Sequence, residues 1–272
     1  MVNIVKVAVC GKGGVGKTLI AGGLAFFFAK KGLRTIAFDA DPSPNLALTL
    51  GLSPEEARGI LPISENKDLL ESKTGTGYSG VYRLSFTVDD IVKKYSVETP
   101  FGVNLVVMGS VKSMGSGCTC PANAVVRALL RHLIVERNEA VILDMEAGVE
   151  HMGRGTAERV DALLIVADAN MKALETAKHI KDLAIKAGIK QVFLIGNKIG
   201  NETQKESIEA FAKDNELSIL DVVPFDEKVV EAEMHGETPL RNAESQAMRA
   251  IERLSERLLR RTTNKFGSKL AT

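Results

Sequence analysis

Gly11-Lys12-Gly13-Gly14-Val15-Gly16-Lys17-Thr18 follows an apolar, β-branched run, Ile4–Val9, and opens a stretch with helical spacing, Lys17–Lys30. Strand, glycine loop and helix in that order form a phosphate cradle, because glycines let successive backbone N–H groups turn inward at a helix N-terminus. The octapeptide satisfies Gly-x-x-x-x-Gly-Lys-Ser/Thr in the context that gives the pattern its meaning. Gly13, Gly14, Val15 and Gly16 are therefore expected to bind nucleotide phosphates through their backbone. Lys17 is expected to neutralise the β- and γ-phosphates, and the Thr18 hydroxyl to ligate Mg²⁺.

Outward from this loop, short apolar runs alternate with longer helical patterns. Thr35–Phe38, Asn104–Met108, Ala140–Leu143, Ala162–Val166, Gln191–Ile195 and Ile219–Val223 read as strands. Ala122–Glu136, Lys172–Lys186, Glu202–Asn215 and Glu244–Arg261 read as helices. Strands that are apolar almost throughout are covered on both faces, and their alternation with helices implies a doubly wound, mostly parallel α/β sheet flanked by helices. The expected fold is that of a P-loop NTPase, one domain over 1–261 with a flexible tail over 262–272. Residues 53–102, rich in Pro, Ser, Gly and charge, read as an excursion off the sheet edge.

Composition narrows the partners. The 272 residues are 45% hydrophobic and 25% charged, with 35 Lys and Arg against 34 Asp and Glu for a net charge of +1. That balance makes no electrostatic case for nucleic acid or an anionic membrane as main partner. Three cysteines cannot build a disulfide scaffold, so a reducing compartment is expected. The N-terminus lacks the basic lead and cleavage site of a signal peptide, and no apolar run approaches the roughly 20 residues that span a bilayer. A cytoplasmic protein is the expectation.

Three carboxylates sit at predicted strand ends, where an α/β sheet places its ligand. Asp39 and Asp41 lie in Phe-Asp-Ala-Asp-Pro, and Asp144 opens Asp-Met-Glu-Ala-Gly after an apolar run. Asp144 has the context of an aspartate that holds Mg²⁺ through water, with Gly148 near the γ-phosphate. Capping of loops or helices is the structural alternative for all three. Asn197-Lys198 resembles the start of the Asn-Lys-x-Asp motif of GTPases, but Gly200 stands where the guanine-reading aspartate would be. Adenine is therefore the expected base, with Asn197 and Pro224 as contacts and Phe225-Asp226 beside them.

Cys118-Thr119-Cys120-Pro121 is the remaining feature. In extended backbone the two thiols point the same way, and Pro121 is suited to the first position of the following helix. A helix N-terminus favours thiolate, the form that binds metal. Two reduced, buried cysteines or a strained disulfide are alternative readings. Cys10, under the phosphate loop, reads as packing.

Lys12 is not needed to hold one nucleotide. It either stays solvated or crosses to another chain's phosphates, supplying charge in trans as an arginine finger does. The string Lys-Gly-Gly-x-Gly-Lys-Thr resembles the MinD, ParA and nitrogenase iron-protein superfamily. That resemblance implies an ATP-sandwich dimer in which Lys12 acts across the interface. It also implies a switch in which Asp41 orients the attacking water and Asp39 lies near the magnesium shell.

Cys-x-Cys-Pro, joined to Asp144-Met145-Glu146-Ala147-Gly148-Val149-Glu150-His151-Met152-Gly153-Arg154-Gly155, is similar to a narrower branch, the CooC ATPases. These assist nickel insertion into carbon monoxide dehydrogenase. The resemblance implies a homodimer, formed when ATP or metal is bound, whose paired Cys118 and Cys120 hold Ni²⁺ or Zn²⁺ between subunits. It also implies carbon monoxide dehydrogenase apoprotein as the client. His151 reads as supporting or structural. A nitrogenase-type cluster would need a further cysteine after Cys120, and none follows. The competing function is a MinD- or ParA-like switch acting on a membrane, DNA or protein partner without a functional metal.

Overall fold

A computed structural model describes residues 5–41, 45–76, 89–109, 121–136, 140–146 and 160–267. Its strands are β1 (Lys6–Gly11), β2 (Thr35–Asp39), β3 (Val97–Glu98), β4 (Val103–Val107), β5 (Ala140–Asp144), β6 (Ala162–Ala167), β7 (Val192–Ile199) and β8 (Ser218–Pro224). They form an eight-stranded sheet in the order β3-β4-β2-β5-β1-β6-β7-β8. Among the described residues only the β3–β4 pairing is antiparallel. Every residue of β1, β2, β5 and β6 is buried, as the near-continuous Val, Ile, Leu and Ala runs require of strands covered on both faces. The doubly wound, mostly parallel sheet expected from the alternating pattern is what the chain adopts.

The described helices are α1 (Lys17–Lys30), α2 (Leu46–Thr49), α3 (Pro54–Gly59), α4 (Lys67–Thr74), α5 (Asp89–Tyr95), α6 (Pro121–Glu136), α7 (Met171–Lys186), α8 (Glu202–Asp214), α9 (Glu227–Met234) and α10 (Gln246–Gly267). α1 lies at the centre and buries Leu19, Ile20, Leu24, Phe27 and Phe28. Gly23 lets it approach α10 closely, since a Cβ there would stand 2.8 Å from Ile251 Cγ2. β1 sits where the strand order changes direction, with β5, β2 and β4 on one side and β6, β7 and β8 on the other. The crevice beyond its C-terminal end is where such sheets bind ligands.

The structure adds to the sequence reading in four places. β3 is a two-residue edge strand, too short for periodicity to reveal. The 53–102 stretch holds short helices with side-chain caps, including a Ser53–Glu56 capping box on α3 and Asn66 on α4, before β3 pairs with β4. β7 runs on through Asn197 and Lys198, which the sequence had set beyond the strand. α10 continues to Gly267, into the stretch read as a tail. Extending a helix already nucleated by packing costs little per residue, which explains the continuation.

Candidate nucleotide site

The phosphate loop leaves β1 at Gly11 and enters α1 through Gly16, the N-cap residue, at φ 91° and ψ 29°. Two constraints make glycine necessary there. The backbone is left-handed, and an added Cβ would lie 2.3 Å from the Asn197 amide nitrogen. Lys17, the first residue of α1, is 6% exposed, and its Nζ stands 3.7 Å from Asp41 Oδ2.

Asp39 and Asp144 end β2 and β5 and are direct register partners. Both are fully buried, yet their surroundings differ. Asp39 accepts hydrogen bonds from the Asp41 N–H at 3.2 Å and the Leu46 N–H at 2.9 Å. Burial raises its pKa to about 6, opposed by those two backbone donors. Among the described residues, neither carboxylate oxygen of Asp144 has a hydrogen-bond partner of acceptable geometry. Burial lifts its pKa further, to about 7, and the neighbouring Asp39 adds to the rise. The Thr18 hydroxyl and the Lys17 ammonium lie close enough to oppose this shift, Thr18 without forming a well-aligned bond.

Above these carboxylates opens a cavity of about 710 Å³. The phosphate loop, Lys17 and Thr18 line it together with Asp41, Glu146, Asn197, Lys198, Pro224 and Phe225. Val229 and Val230 of α9 add an apolar flank. The structure thus brings Gly13, Gly14, Gly16, Lys17, Thr18, Asp41, Asn197 and Pro224 to one cavity. Asp39 and Asp144 lie buried at the strand ends beside it, and Lys12 is not among its lining residues. Asn197 is 2% exposed and donates from Nδ2 to the Val15 carbonyl at 2.8 Å. That leaves its Oδ1 as an acceptor and its second Nδ2–H as a donor toward a base.

Glu146, Lys198 and the exposed Phe225 are wall residues to which the sequence reading gave no firm role. The Asn-Lys pair itself was the available signal for Lys198. Cys118, Cys120, Gly148 and His151 lie outside the described residues. Cys10 is buried, its Sγ 3.8 Å from the Leu164 carbonyl, in keeping with packing.

Residues 6–240 match the CbiA family, described as the CobQ/CobB/MinD/ParA nucleotide binding domain. The chain belongs to this family. It is an ATP-binding protein of the MinD/ParA kind, with two relatives at the same identity. An uncharacterized ATP-binding protein from Methanocaldococcus jannaschii is 42% identical, the match covering 92% of this chain and 95% of the relative. The carbon monoxide dehydrogenase accessory protein CooC from Rhodospirillum rubrum is also 42% identical, over 85% of this chain and 88% of its own. The solved MinC:MinD cell division protein complex from Aquifex aeolicus shares the fold with this family member, with a TM-score of 0.66 at 22% identity, covering 94% of this chain and 96% of that one. Among the described residues, no helix is long and apolar enough to cross a membrane.

Proposed function

We propose that the chain hydrolyses ATP as a homodimer and serves as a metallochaperone that assists nickel insertion into carbon monoxide dehydrogenase. One observation carries the hydrolytic part: Asp144 is a fully buried carboxylate with no well-aligned hydrogen-bond partner among the described residues, set beside Thr18 at the foot of the phosphate loop. A buried carboxylate left unpaired is costly unless a ligand completes it. Magnesium fits this donor set. No three His, Cys, Asp or Glu side chains among the described residues group to hold a metal alone. Mg²⁺ needs no such cage, since it binds through one or two carboxylates together with substrate phosphates. Thr18 and Asp144 would hold it, with Asp39 beside them, and it would neutralise charge developing on the phosphates.

The chain's own residues then divide the work. The backbone of Gly13–Thr18 binds the phosphates, and Lys17 exchanges Asp41 for the β- and γ-phosphates. Asp41, released from that ion pair, orients the attacking water. Lys12, not part of its own cavity wall, supplies positive charge to a partner's nucleotide. Asn197 and Pro224 face adenine.

The maturation part is supported by the likeness to the Rhodospirillum rubrum accessory protein and by Cys118 and Cys120, which directly precede α6 at its first residue, Pro121. Two pairs from a two-fold dimer give the four sulfurs a Ni²⁺ or Zn²⁺ site takes. The test combines metal analysis, light scattering and activation of apo carbon monoxide dehydrogenase with Mg²⁺-ATP. One metal per dimer and ATP-dependent activation are expected, both lost in Cys118→Ala and Cys120→Ala while ATP binding persists. Metal bound one per monomer, or activation unaffected by both substitutions, overturns the metallochaperone reading. It would leave a MinD- or ParA-like switch acting on a membrane, DNA or protein partner.

A further inference from the structure

Lys198 has a backbone that only a fixed environment would maintain. Its φ is +59°, in the left-handed region that a residue with a Cβ rarely adopts. It falls where the β7–β8 register shifts, between Gly196 and Ile199. Both sides of it are pinned. Asn197 donates to the Val15 carbonyl at 2.8 Å, and the Ile199 carbonyl accepts from the Phe225 N–H at 3.0 Å. From this position the lysine turns back across the cavity wall, and its Nζ donates to the Gly14 carbonyl at 2.9 Å. The side chain is exposed, so packing does not hold it there.

The Gly14 carbonyl and the Val15 N–H belong to one planar trans peptide and point in opposite directions. Fixing the carbonyl therefore fixes where the N–H aims. Asn197 does the same for the next peptide, between Val15 and Gly16. Gly14 itself has a φ of +83° and open space where a Cβ would be, so no side chain packs against it on that side.

We infer that Lys198 is a positioning residue which, from a strained turn at the end of β7, locks the Gly14–Val15 peptide so that the phosphate loop is preorganised for nucleotide. The inference rests on the ATP-binding reading of this cavity. A preorganised loop binds more tightly because its ordering cost is met before the ligand arrives.

The experiment measures MgADP and MgATP affinity by calorimetry, with turnover alongside, in wild type, Lys198→Met, Lys198→Arg and Lys17→Ala. Lys198→Met keeps the aliphatic stem and removes the donor. It is expected to weaken ADP and ATP equally, about tenfold (about 1.4 kcal/mol), since the loop amides cradle phosphates that both share. KM should rise with kcat nearly unchanged. Lys198→Arg should restore most of the affinity, and thermal melting of the nucleotide-free protein should be unchanged in both variants. Wild-type affinity in Lys198→Met overturns the inference. So does a loss that disappears at high ionic strength, which means plain charge attraction, or a lowered melting temperature without lost affinity, which means a structural role. Absence of nucleotide binding in wild type, with Lys17→Ala indistinguishable from it, would instead remove the reading of the cavity itself.

Discussion

Asp39 and Asp144 end adjacent strands, pair in register and are equally buried, yet one is saturated and the other is not. Asp39 spends both oxygens on backbone N–H groups from residues that follow it, and so ties Asp41 and Leu46 back to the sheet. Asp144 spends neither. The electrostatics follow the same division. Backbone donors hold Asp39 to about 6, whereas Asp144, with no such donors and with Asp39 beside it, reaches about 7. Identical residue, burial and strand position thus yield an organiser of the loop and a carboxylate held in reserve for a cation.

The sharpest way to break this comparison is Asp144→Asn. If Asp144 serves a cation, this substitution should lower Mg²⁺-dependent turnover by at least a hundredfold (about 2.7 kcal/mol), measured as phosphate release at saturating ATP. Wild-type turnover would put Asp144 outside the chemistry. Asp39→Ala should act differently. It strands the Asp41 and Leu46 N–H groups, costing about 1–3 kcal/mol of stability by urea denaturation. It should weaken nucleotide binding through a loosened Asp41, about tenfold (about 1.4 kcal/mol). A variant as stable as wild type would mean that the two donors find other partners and that Asp39 organises nothing.

The most discriminating effect is pH dependence. A carboxylate whose pKa is raised on folding favours the folded state at low pH, and that contribution is lost as pH rises through the folded value. For Asp144, from 3.8 unfolded to about 7 folded, the loss runs between roughly pH 4 and 7. The stability advantage of Asp144→Asn over wild type, both nucleotide-free, should therefore grow across that window and level off above it. Its ceiling is a few kcal/mol. A pH-independent difference would mean that Asp144 is not protonated in the folded apoprotein.

The phosphate loop was legible because its signal is local. Eight consecutive residues specify glycine conformations, a helix start and a lysine, and the flanking periodicities place them. Asp39 and Asp144 were legible as strand-end carboxylates, but their difference was not. It depends on where the Asp41 and Leu46 amides fall once the loop has folded. The extent of β7 is not legible in the sequence for a similar reason. Asn197 and Lys198 carry no strand periodicity and are held by carbonyls 182 and 184 residues away.

By itself, the sequence determined the α/β class, the loop that receives phosphates and the residue types available to bind a cation. It could do so because backbone conformation, burial pattern and chemical type are properties of residues and their near neighbours. Only the tertiary structure decided which carboxylate is left unpaired, that Lys17 meets Asp41 and that Lys198 holds Gly14. Those outcomes are contacts between distant segments, and a contact exists only once the sheet order has brought the two strand ends and the loop to the same crevice.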